Sequence, residues 1–144
     1  MKKFYFIFIL LFAINATSYS QCGVVINSFP YIENFELNNG NWVNGGVADD
    51  WAWGAPNKAF IQNAGGGAKC WVTGNLTGSF YNLGERSYIV SPCFDFTNLQ
   101  YPHVKFKIYW ECENQYDGIT FQYTTNNGAT WTNVGSVYDP INCL

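Results

Sequence analysis

Residues 104–112 read VKFKIYWEC. Val104, Phe106, Ile108, Trp110 and Cys112 alternate with Lys105, Lys107, Tyr109 and Glu111. Successive side chains of a strand point to opposite faces, so the pattern predicts a half-buried β-strand with Trp110 turned inward. Asp117-Gly118 then marks a turn, and Ile119, Phe121 and Tyr123 alternate with Thr120, Gln122 and Thr124, which predicts an antiparallel hairpin. Asn127-Gly128 tolerates positive φ at both central positions of a second turn, so residues 129–134 are expected to return alongside 120–125.

Working outward, shorter strand candidates are 32–36, 50–53, 68–73, 87–90 and 93–96, separated by clusters such as Asn38-Asn39-Gly40-Asn41 and Gly65-Gly66-Gly67. No useful helical periodicity follows the first twenty residues. The chain has 144 residues, 48 % hydrophobic, 19 % aromatic and only 12 % charged, a balance that buries a core and fits one domain. With 14 Gly and 17 Asn available for tight turns, the expected fold is all-β, an antiparallel two-sheet β-sandwich of jelly-roll type. The end, Asp139 to Leu144, supplies no closing strand, so the sandwich is expected to be truncated at its C-terminal side.

Residues 1–20 form a separate unit. Lys2 and Lys3 precede an apolar run from Phe4 to Ile14, too short for the roughly 20 residues of a membrane span, which predicts a signal peptide cleaved before Gln21. The expected module is then 21–144, exported, with no membrane span. Its five basic and ten acidic residues exclude nucleic acid as a partner, because phosphate binding needs clustered positive charge. In an oxidising compartment Cys22, Cys70, Cys93, Cys112 and Cys143 are disulfide candidates, and no pair has the C-x-x-C spacing of a zinc site. Cys70–Cys93 and Cys112–Cys143 are the expected bonds, with Cys22 left over.

Four strings now stand together: PYIENFE (30–36), DDWAWGAPNKAFI (49–61), CWVTGNLTGSFYNLGERSYIVSPCFDF (70–96) and YDGITFQYTTNNGATW (116–131). Their succession resembles the MAM-like, concanavalin-type jelly-roll modules of large extracellular bacterial proteins that use type IX secretion. The resemblance spans roughly residues 29–144 and implies further modules in the same parent chain. Separately, Thr124-x-Asn126-x-Gly128-x-Thr130-Trp131 resembles a degenerate Asp-box, a hairpin staple in which Asn126 would cap the turn through its side-chain oxygen.

Little here suits catalysis. His103 is the single histidine, and Glu111 and Glu113, on one strand face, have no third carboxylate opposite them. Jelly-roll modules often hold a structural calcium, and the resemblance places Glu36 on the entering strand and Asp117 at a turn as its donors. Trp51 and Trp53 have the spacing that puts both indoles on one strand face, where they serve either the core or a sugar platform. The expectation is a non-catalytic, secreted recognition or adhesion module that binds a glycan or a surface protein. The alternatives are an accessory module of a secreted peptidase or glycosidase, and a structural spacer.

Overall fold

The computed structural model describes residues 22–78, 80–113 and 115–135. The expected signal peptide, Cys143 and its bond to Cys112, and the Asp139–Leu144 end lie outside the described residues. Within them the chain is all-β, with eight short strands and no helix. In chain order these are β1 (Val25–Ile26), β2 (Val43–Val47), β3 (Ala52–Gly54), β4 (Cys70–Val72), β5 (Arg86–Val90), β6 (Cys93–Phe94), β7 (Gln122–Tyr123) and β8 (Thr132–Asn133).

They pair as four two-stranded sheets: β1 with β6 in parallel, and β2 with β5, β3 with β4, and β7 with β8 antiparallel. The longest ladder runs from Val43 opposite Val90 to Val47 opposite Arg86. Gly46 is required there: at φ +118° a side chain is strained, and its Cβ would lie 2.6 Å from Ser87 Cα. In the β3–β4 ladder Trp53 faces Trp71, an aromatic cross-strand pair of the kind that stabilises sheets.

Val72, 4 % exposed, is the buried apolar centre, and Asp50 is the buried polar one. Around them aromatics meet in pairs. Phe94 stacks on Phe96 with centroids 5.6 Å apart, Tyr31 meets Phe94 edge-on at 5.6 Å, and Phe29 lies 5.5 Å from Phe96. Phe35 and Trp42 form another edge-on pair at 5.6 Å. The Tyr31 and Phe29 contacts join residues 29–31 to β6 and to Phe96 just after it, which explains how a stretch without ladder bonds keeps its place.

Several expectations are corrected. Residues 104–112 are not a strand: they make no backbone–backbone hydrogen bond among the described residues, and Trp110, expected inward, is 51 % exposed. Alternation sets which side chains share a face, but a strand also needs a neighbour for its N–H and C=O groups. The hairpin between 104–112 and 119–123 therefore has no ladder, although Phe106 and Phe121 touch at 4.9 Å. Residues 32–36 form no strand, and the chain bends at 35 and 36, so Glu36 stands outside any strand. Cys93 bonds Cys22, with Cα atoms 5.3 Å apart, instead of Cys70, which has no disulfide partner among the described residues. Spacing along the chain could not show this, because the β1–β6 pairing opposes Val25 to Cys93 and so carries Cys22 to it from 71 residues away.

Candidate functional site

Two places gather the polar and aromatic chemistry of the molecule. The first is built around Asp50. Its carboxylate accepts the Gly74 N–H at 2.6 Å and the Asn82 N–H at 2.9 Å, and its carbonyl accepts the Asn75 N–H at 3.1 Å. Gly74 sits at φ +70°, and a Cβ there would lie 2.6 Å from the Phe80 carbonyl, so the turn facing Asp50 depends on glycine. A buried carboxylate is tolerated only where donors surround it, and here two turns supply them.

Lys58 and Glu85 flank this aspartate. Lys58 Nζ donates to the Thr73 carbonyl at 2.5 Å; burial lowers its pKa, while Asp50 and Glu85 work against the fall. Glu85 accepts a hydrogen bond from Ser87 Oγ, and its Oε2 is shielded without a donor among the described residues. Burial raises the Glu85 pKa; Ser87 opposes the rise and Asp50 reinforces it. This cluster fixes loops. Its signal in the sequence is an acidic residue preceding a Trp-rich strand in a charge-poor chain, but nothing local reveals that Gly74 and Asn82 return to it.

The second is the stretch from Tyr101 to Trp131, which is rich in exposed aromatic residues. Tyr101, Phe106, Tyr109, Trp110, Tyr116 and Tyr123 are all at least half exposed or nearly so, Ile119, Phe121 and Trp131 are exposed as well, and the Phe106 and Phe121 rings meet. The β7–β8 hairpin is held by local chemistry. Asn126 Oδ1 accepts the Thr130 N–H at 2.9 Å, Asn126 Nδ2 donates to Thr130 Oγ1 at 2.9 Å, and Thr124 Oγ1 accepts the Gly128 N–H at 3.0 Å. Asn127 and Gly128 both have positive φ, so the turn chemistry expected of these residues is present. The Asn127 side-chain oxygen lies 3.1 Å from Cys22 Sγ, which brings the hairpin tip against the disulfide.

The other candidates have specific partners. Glu36 Oε1 accepts the Lys69 N–H at 2.9 Å and the Ala68 N–H at 2.8 Å, and these donors hold its pKa below the ordinary carboxylate range. Asp117 accepts from the Tyr81 hydroxyl at 2.6 Å, which pushes the Tyr81 pKa up to about 12. Among the described residues no three His, Cys, Asp or Glu side chains are grouped to share a metal ion. Trp53 donates its indole N–H to the Phe35 carbonyl at 2.9 Å and carries Lys69 Nζ 4.9 Å above its ring, while Trp51 is half-buried. Both indoles therefore serve packing more than an open platform. The Cys70 thiol pKa is raised, by burial first and then by Glu36, which disfavours the thiolate. His103 Nδ1 lies 2.9 Å from the Tyr101 carbonyl, and the imidazole is exposed.

Among the described residues no helix is long and apolar enough to cross a membrane. Comparison with known proteins returns no matching family model, no matching curated protein and no matching solved structure.

Proposed function

We propose that this chain is a non-catalytic, secreted recognition or adhesion module, MAM-like in type, within a larger extracellular or cell-surface protein. The observation that carries the reading is the number of exposed aromatic side chains between Tyr101 and Trp131. Exposed aromatic rings with amide and hydroxyl groups beside them stack on pyranose faces and also anchor protein partners. Gln122 and Asn133, side chain to side chain at 2.7 Å in the β7–β8 ladder, supply such groups. The Cys22–Cys93 bond supports an oxidising destination. A jelly-roll sandwich is the architecture into which the four ladders would fit. The raised pKa of Cys70 and the exposed His103, bonded within its own loop, support the non-catalytic part.

A glycan array probed with the purified chain tests this reading. Binding that Trp110→Ala and Tyr109→Ala weaken by about tenfold would support it. No binding to any polysaccharide or surface glycoprotein would favour a spacer instead. Calcium belongs to the same proposal as a structural ion with Glu36 and Asp117 among its donors, the remaining ligands drawn from backbone carbonyls. A chelator that leaves the melting temperature unchanged would remove it.

A further inference from the structure

Residues 104–112 make no backbone–backbone hydrogen bond among the described residues and are exposed apart from the half-buried Cys112, so their N–H and C=O groups are open to pairing with another chain. Edge strands are commonly protected by lysines, which repel a like edge. Here the lysines are balanced. Lys105 and Lys107 stand at one end, and Glu111 and Glu113 at the other, with Tyr109 midway between.

That arrangement is complementary to itself. When two copies of the segment are laid antiparallel about a two-fold axis at Tyr109, Lys105 of each falls opposite Glu113 of the other, and Lys107 opposite Glu111. Ile108 then faces Trp110, and Phe106 faces Cys112, so apolar side chains share one face and charged ones the other. Shifting the axis to Ile108 or Trp110 leaves one kind of lysine–glutamate pair, and an axis at Lys107 sets lysine against lysine. A slip of one residue puts charge opposite apolar side chains, and in-register parallel pairing stacks like on like.

We infer that the partner of this edge is a second copy of the same chain, joined by antiparallel pairing of residues 104–113 about Tyr109 into a closed, two-fold dimer. Backbone hydrogen bonds and the facing apolar pairs supply the affinity, while the exposed charges select register and direction. Lys107, whose Nζ donates to the Gly65 carbonyl at 2.5 Å, has further N–H groups for Glu111. Tyr109, whose hydroxyl donates to Glu111 at 3.2 Å, meets its own copy at the axis. The proposal rests on the recognition reading and deepens it, because pairing about Tyr109 brings the exposed aromatic residues of the two copies side by side.

Sedimentation velocity across a concentration series tests it on the purified chain. The expected result is a reversible dimer. Lys105→Glu with Lys107→Glu makes the edge uniformly acidic, and Glu111→Lys with Glu113→Lys makes it uniformly basic; each variant alone should associate more weakly by at least about tenfold. Mixing the two variants should restore a one-to-one heterodimer, a result that misfolded variants cannot give. A chain that stays monomeric up to its solubility limit, a dimer indifferent to both charge reversals, or a mixture that fails to recombine would overturn the proposal. A monomer that still binds on the glycan array would sink the dimer and leave the recognition reading standing, and a dimer that binds nothing would do the reverse.

Discussion

Residues 22–96 and residues 97–135 are built to different rules. The first region holds six of the eight strands, the disulfide, the buried Val72 and Asp50, and aromatics that meet in pairs. The second holds one ladder, and nearly all its side chains are exposed. Its hairpin survives on turn chemistry at Asn126 to Thr130 instead of burial. The contrast separates two sources of order: long-range contacts that close a core, and short-range hydrogen bonds that need none.

The strongest test of that contrast removes the longest-range tie. Cys22→Ser should destabilise the first region by about 4 kcal/mol on the chain-entropy model, because Cys22 and Cys93 close a loop with a sequence separation of 71. Urea unfolding followed by tryptophan fluorescence would show it, and an unchanged midpoint would mean that the loop is already constrained by packing. Next comes the polar centre. Asp50→Ala leaves the Gly74 and Asn82 N–H groups without their acceptor and should cost about 3 kcal/mol, measured by the same titration.

Matched truncations sharpen the comparison further. Val72→Ala, at a site 4 % exposed, should cost about 2 kcal/mol, whereas Val104→Ala, at 60 %, should stay within about 0.5 kcal/mol. Equal costs would show that the 104–112 segment is buried in solution. The smallest effect expected is one of pH. The Glu85 pKa is raised in the fold, so the stability tied to its proton is present below the unfolded value, near 4.5, and is lost as pH rises through the folded one. Glu36 is shifted down, so its contribution is present above that value and lost as pH falls. Glu85→Gln, followed by thermal melts from acid to neutral pH, should remove the decline on the rising side and leave the acid-side loss in place.

How much of this was legible in the sequence follows the same division. β3 to β6 fall within or beside runs of apolar and aromatic residues that read as strands, and the Asn127-Gly128 turn is written in two adjacent residues. Turn chemistry is local, so it can be read locally. β2 escapes notice because Asn44, Gly45 and Gly46 have weak strand preference, and Arg86 to Val90 hold them in register from a distant part of the chain. Pairing of β1 with β6, and with it the Cys22–Cys93 bond, is likewise a long-range fact. The 104–112 run shows the converse: flawless alternation identifies two faces but no neighbour. Nothing near Asp50 in the sequence announces its role, which depends on turns more than twenty residues away.

The Cys22–Cys93 bond also changes what a protease can do to this molecule. A cut at any one peptide bond between the two cysteines severs the chain without releasing a fragment, since both ends remain covalently joined through sulfur. Clipping in the glycine-rich loop at 65–67 would therefore appear on a gel only after reduction, and the nicked protein would keep its β7–β8 hairpin attached to the rest.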